Sequence, residues 1–143
     1  MIISIGADHA GFSVKEQIRQ YLESKGYSLI DKGAYSEDSV DYPEFGHAVG
    51  NSVKSGESTK GIVVCGSGIG ISMAANKIEG IRAALCTTPD HAKMSRLHND
   101  ANVLAIGARM TDYDVIIEIV DTWLDSEFEG GRHSRRVNKI EVS

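Results

Sequence analysis

The stretch that most constrains the fold is Gly61 to Ile71, Gly-Ile-Val-Val-Cys-Gly-Ser-Gly-Ile-Gly-Ile. Ile62, Val63 and Val64 are apolar without alternation, the pattern of a parallel strand covered on both faces. Cys65 ends that run, and Gly66, Gly68 and Gly70 let the backbone approach a ligand closely. Ser72-Met-Ala-Ala-Asn then reads as helix, so free amides at its N-terminus face whatever the turn holds. An anion is the natural guest. The Gly-x-Gly-x-Gly spacing is not the dinucleotide fingerprint, and no Lys-Ser/Thr follows to make a nucleoside-triphosphate loop. Taken alone, the stretch is equally satisfied by a tight turn and a small buried thiol. The rest of the chain decides.

Strand and helix patterns alternate throughout. Ile2 to Ala7 is a β-rich run ending in Asp8-His9, and Val14, Ile18, Tyr21 and Leu22 recur at helical spacing up to Gly26. Tyr27 to Ile30 reads as a second strand, and a polar loop leads to a helix opened by Tyr42-Pro43 with Phe45, Ala48, Val49 and Val53 as its stripe. After the glycine turn come a fourth strand, Ile81 to Cys86, a helix from Pro89 through Leu97, and a fifth strand, Val103 to Ile106, ending at Gly107-Ala108-Arg109. Thr111 is the expected N-cap of a helix whose stripe runs from Val115 to Leu124. Gly130-Gly131 breaks it, and the tail beyond reads as a short basic helix or an extended arm. The pattern predicts an α/β fold, a three-layer α/β/α sandwich around a five-stranded parallel sheet, as one domain over 1–143 with a C-terminal basic arm from about 130. Ligands of such folds bind at the carboxyl ends of the strands, where Asp8-His9, Cys65-Gly66-Ser67 and Arg109 would meet.

Composition excludes several classes. No apolar run reaches the roughly 18 residues of a membrane span, and Met1-Ile-Ile-Ser-Ile lacks a basic leader, so a cytoplasmic protein is expected. Cys65 and Cys86 have no Cys-x-x-Cys spacing, which argues against a zinc knuckle or a disulfide framework. A net charge of -5 disfavours nucleic acid, and basic residues cluster only in the tail, at Arg132, His133, Arg135, Arg136 and Lys139.

With these residues placed, the chain resembles the ribose-5-phosphate isomerase B family, which also holds galactose-6-phosphate and allose-6-phosphate isomerases. The likeness is nearly end to end. It rests on Gly-Ala-Asp8-His9-Ala-Gly11, Asp41-Tyr42-Pro43, Cys65-Gly-Ser-Gly-Ile-Gly-Ile-Ser-Met-Ala-Ala-Asn76, Gly-Ile-Arg82-Ala, Arg96-Leu-His98-Asn99-Asp100-Ala-Asn102 and Glu129-Gly-Gly-Arg132-His. It implies a Rossmann-like sandwich of sheet order 2-1-3-5-4. The implied activity is cofactor-free and metal-free aldose-ketose isomerisation, ribose 5-phosphate to ribulose 5-phosphate, by ring opening and a cis-enediolate.

The resemblance also implies roles. Cys65 is the base between C2 and C1, suited to it because a thiolate facing a helix N-terminus is the reactive form. Ser67 and the amides from Gly66 through Gly68, Ile69 and Gly70 stabilise the enediolate oxygen. One branch of the family carries glutamate where this chain has Ile71, which places the chain in the cysteine branch. His98 is the ring-opening acid/base, although a histidine near a helix end is by itself more often surface or cap. Asn99 hydrogen-bonds sugar hydroxyls and Asp8 orients or hydrogen-bonds the sugar near the ring oxygen, Asp8 also being able to cap the first helix. Tyr42 lines the sugar pocket. His9, Arg132 and Arg136 grip the phosphate, with Arg109 a weaker candidate. Arg132 and Arg136, four apart, share a helix face. Relatives imply a homodimer with shared active sites, the tail reaching the neighbour's Cys65 loop, with further pairing to a tetramer left open. His133, His91, Arg82 and Cys86 receive no leading role, and His47 reads as surface. A metal site from Asp8, His9 and His98 finds no support in the spacing. The competing readings are an isomerase of a hexose 6-phosphate and a silent sugar-phosphate sensor, which would need the grip but not Cys65. A flavodoxin-like carrier lacks a flavin fingerprint.

Overall fold

A computed structural model describes residues 1–142; Ser143, the end of the expected basic arm, lies outside it. The elements run β1 (Ile2–Ala7), α1 (Phe12–Ser24), β2 (Ser28–Asp31), α2 (Tyr42–Lys54), β3 (Lys60–Cys65), α3 (Ile69–Asn76), β4 (Ala83–Leu85), α4 (Pro89–Leu97), β5 (Val103–Gly107), α5 (Tyr113–Asp125) and α6 (Arg132–Ile140). All strand pairs are parallel and the order is β2-β1-β3-β5-β4. The sheet thus reverses its direction of growth between β1 and β3, which opens a crevice beyond their carboxyl ends.

Burial explains the lack of alternation in the strands. Ile62, Val64, Leu104 and Ile106 pack into one core with Ile18 and Leu22 of α1, Ala92 of α4, and Ile116, Ile119 and Trp123 of α5. Val63, Cys65, Val103 and Ala105 point the other way, onto Val49 of α2 and Ile71 and Ala75 of α3. Both faces are therefore apolar, as a doubly covered parallel sheet requires.

Several boundaries differ from the sequence-based expectation, β2 running Ser28–Asp31, β4 ending at Leu85 and β5 at Gly107, and three further shifts have a clear local reason. Helix α3 starts at Ile69 and not at Ser72, because Gly68 takes a left-handed conformation (φ 79°) as N-cap and its carbonyl accepts the Ser72 amide. Strand β4 begins at Ala83 and not at Ile81, since the Ile81 amide closes a turn onto Ile78 and the Arg82 amide donates to the Asn102 side chain. The α5 N-cap is Asp112; Thr111 instead gives its amide to the Gly107 carbonyl. The tail adopts the helical alternative as α6.

The turn after β3 crosses directly over the end of β5. A Cβ on Gly107 would stand 2.5 Å from the Ser67 carbonyl oxygen and 2.7 Å from its carbon, so only glycine fits. Gly107→Ala should lower stability by about 1–3 kcal/mol, the usual range for overpacking against a fixed neighbour. Urea unfolding reads this directly, and an unchanged midpoint would show that the turn can move aside.

Candidate active site

Beyond the carboxyl ends of β1, β3 and β5 lies a crevice of about 470 Å³ lined by Asp8, His9, Tyr42, the Cys65–Ser67 turn, Met73 and Arg109, among others. The three polar strand ends do converge. A larger cleft of about 600 Å³, between the α3–β4 connection and residues 140–142, has no cysteine or histidine in its wall.

Each side chain is held by the backbone that delivers it. Cys65 closes β3, is 4% exposed, and its Sγ accepts the Gly68 amide at 3.1 Å. The other thiol, Cys86, is pushed up to about 11 by burial and lies outside the crevice, so it stays protonated. Ser67 Oγ accepts the Ile69 amide at 3.1 Å. The Ile69, Gly70 and Ile71 amides, being first-turn groups, have no intrahelical acceptor. A Cβ on Gly70 would lie 2.6 Å from the Tyr42 ring, so that glycine lets the tyrosine stand against the turn.

Asp8 follows β1 and its Oδ1 accepts the Gly11 amide at 3.0 Å, which holds the loop leading into α1. Gly11, not Asp8, is the N-cap. The Nδ1 of His9 is 3.2 Å from both the amide and the carbonyl of Val40. With Nδ1 anchored, Nε2 is the nitrogen left for a ligand. Arg109 donates its amide to the Gly66 carbonyl, and its side chain runs along Gly66.

His98, Asn99, Arg132 and Arg136 are absent from the wall of this crevice. His98 caps the C-terminal end of α4, and a few residues on the Asn102 carbonyl accepts the Gly61 amide at the opposite end of β3 from Cys65. The six residues of β3 put those ends about 16 Å apart. The expected site is therefore divided within one chain, and so is the set Asp8, His9 and His98.

Around His98 a second cluster forms. The His98 ring stacks on His133 with centroids 4.4 Å apart, and Glu129 Oε2 is 3.6 Å from His133 Nε2. Burial, aided by His98 and Arg132, holds the His133 imidazole below its usual value, so it is neutral at neutral pH. Arg132 and Arg136 are exposed on α6, whereas His133 and Val137 form its buried face. Sequence reasoning passed over His133; its spacing of four from Val137 was the available signal. Met73, in the crevice wall, carried none.

The loop bearing His98 is clamped by two arginines. Arg96 Nη1 donates to Asp100 Oδ1 at 2.8 Å and to the Ala101 carbonyl at 2.7 Å. Arg82 donates from Nε to the Asp100 carbonyl at 3.1 Å and from Nη1 to Glu141 at 3.0 Å, tying the chain end to the same loop. Asp100 itself sits at φ 48°, a conformation that needs such support. A double-mutant cycle of Asp100→Asn with Arg96→Met should give a coupling of about 1 kcal/mol by urea unfolding, the low end because Asp100 is partly exposed. Zero coupling would dissolve the clamp.

A parallel sheet with a thiol, a hydroxyl and helix-end amides at its switch point defines an α/β protein built to bind an anion beside a proton-transfer group. The comparisons are specific about which. The family described as Ribose/Galactose Isomerase matches residues 3–140, and the chain belongs to it. It is 47% identical over 138 residues to ribose-5-phosphate isomerase B of Escherichia coli K12, covering 96% of this chain and 93% of that one. The solved ribose-5-phosphate isomerase B of Clostridium thermocellum is 56% identical with a TM-score of 0.97, covering 98% of this chain and 95% of its own. That of Mycoplasma genitalium, solved with bound ribulose-5-phosphate, is 40% identical with a TM-score of 0.92, at 97% and 93% coverage.

Proposed function

We propose that this chain is an aldose-ketose isomerase that interconverts ribose 5-phosphate and ribulose 5-phosphate. The observation that carries the reading is the buried Cys65 thiol, hydrogen-bonded by the Gly68 amide at the mouth of an anion-ready turn, in a family one of whose members was solved with the ketose bound. His98 takes the anomeric hydroxyl proton and returns one to the ring oxygen, which opens the sugar. Cys65 removes the C2 proton, the negative charge moves onto the former carbonyl oxygen as a cis-enediolate, the C2 hydroxyl proton passes to that oxygen, and the thiol, whose proton exchanges with solvent, protonates C1. Ser67 and the amides at the start of α3 carry that charge. Tyr42, Asp8 and Asn99 position hydroxyls, and His9, Arg109, Arg132 and Arg136 hold the phosphate.

The division of these groups between the two ends of β3 supports a site shared by two chains. A pentose phosphate is shorter than β3, so one molecule cannot reach both Cys65 and Arg132 of one protomer. In a homodimer the His98 and Arg132 end of one chain completes the Cys65 crevice of the other. Tyr42, Ile69 and Met73 leave apolar surface exposed at the crevice, as a covered mouth would need. Both cysteines are free, which fits the reducing cytoplasm, and no helix among the described residues is long and apolar enough to cross a membrane.

Metal-stripped protein given ribose 5-phosphate should form ketose faster than with allose 6-phosphate or galactose 6-phosphate. Cys65→Ala should lose about 1,000-fold in turnover, within the range for general-base catalysis, together with solvent-deuterium incorporation, while sugar-phosphate affinity stays. Near-normal turnover in that variant would remove Cys65 as the base, and a faster hexose would change the substrate. Sharing is tested separately by mixing two inactive chains, Cys65→Ala and Arg132→Ala/Arg136→Ala. Mixed dimers should regain activity, one of their two sites having every group intact, whereas no recovery in verified mixed dimers would return the whole site to a single chain.

A further inference from the structure

His98, Glu129 and His133 bring one ligand atom each to within 4.8 Å of one another. The ring hydrogen bonds of the described chain belong to His9 and His91, so the imidazoles of His98 and His133 have nitrogen lone pairs uncommitted to other protein groups. Two imidazole nitrogens and a carboxylate are the donor set of an open zinc site, the fourth position falling to water or a sugar hydroxyl. In a tetrahedral shell with bonds of about 2.0–2.1 Å, donors sit about 3.4 Å apart. The Glu129–His133 pair is already at 3.6 Å, and the Glu129 side chain, 51% exposed, is free to swing inward. The two stacked rings lie 15° from parallel and must fan toward a common point. That reorganisation, and the charge of neighbouring Arg132, oppose a dication, while Glu129 favours it. The balance is an open, reversible site weaker than a closed structural one.

We propose that His98, Glu129 and His133 form an inhibitory site for a borderline transition-metal dication, with Zn²⁺ as the ion suited to the donors. Occupation consumes the His98 lone pair that ring opening uses. The inhibition rests on the role given to His98 above; the binding does not.

The test titrates Zn²⁺ into the metal-stripped full chain by calorimetry and follows Co²⁺ by absorption. One ion per chain is expected, with cobalt bands of a nitrogen and oxygen shell and without the sulfur charge-transfer band that either cysteine would add. Glu129→Gln, at an exposed position where folding is safe, and His133→Ala should each weaken binding at least about tenfold. Saturating Zn²⁺ should cut turnover of ribose 5-phosphate at least tenfold, and chelation should restore it. Unchanged affinity in both variants, a different stoichiometry or a sulfur-type spectrum overturns the site. Full turnover by protein loaded at this triad overturns the inhibition. His98→Asn, assayed without metal on cyclic and open-chain substrates, then shows whether the role of His98 has failed with it: equal losses on both remove its ring-opening role, and a loss confined to the cyclic sugar retains it.

Discussion

The contact on which the crevice depends is backbone against backbone, the Ser67 carbonyl lying where a side chain on Gly107 would be. Cys65 and Gly107 are register partners at the ends of β3 and β5, and the Ala108 amide donates back to the Cys65 carbonyl. This crossing fixes where β3 stops and forces the chain up into the left-handed Gly68, from which α3 departs. The thiol, the first-turn amides of α3 and the Arg109 side chain are placed by that single close approach.

The opposite end of the sheet is organised by charge. Arg96 is 7% exposed and spends its donors on Asp100, Ala101 and Ser126, while Arg82 joins the Asp100 loop to Glu141. A buried guanidinium is tolerable when its donors find acceptors, and here two backbone carbonyls and a carboxylate take Nε and Nη1. The Glu129 amide, donating to the Leu97 carbonyl, then brings the α5–α6 connection alongside. The same division of labour holds Lys15, fully buried, whose ammonium reaches Asp31 at 2.7 Å and the Ala34 carbonyl at 2.6 Å and so anchors the loop beyond β2.

What could be read in advance follows from which interactions are local. The α5 stripe, Ile116, Ile119, Val120 and Trp123, is a helical period and became a buried face. The apolar runs of β1, β3 and β5 report double burial, and the order β2-β1-β3-β5-β4 matches the one implied by family resemblance. The start of α3 was misplaced because glycine propensity argues for a turn, whereas the Gly68 cap is imposed by the crossing at Gly107. In the site, Asp8, His9, Cys65 and Arg109 were legible because each ends or follows a strand, and parallel strands end together. His133 was not, since its neighbour His98 lies 35 positions earlier and their stacking comes from the docking of α6 on the end of α4.

The sheet edge bears on how a second chain can approach. Strand β4 is an outer strand of only three residues, and the Asn76 side chain takes both backbone groups of Ala83, accepting its amide at 2.7 Å and donating to its carbonyl at 3.0 Å. An amide side chain there imitates a neighbouring strand and blunts the edge against pairing. Under the proposed sharing of sites, association therefore does not extend the sheet at Ala83. It falls to helix and loop surfaces, where Ile69, Met73 and Tyr42 surround the thiol and the exposed arginines of α6 project from the other end. Bringing those surfaces together matches cations to the crevice only when a phosphate lies between, so the anion itself becomes part of what makes the two ends complementary.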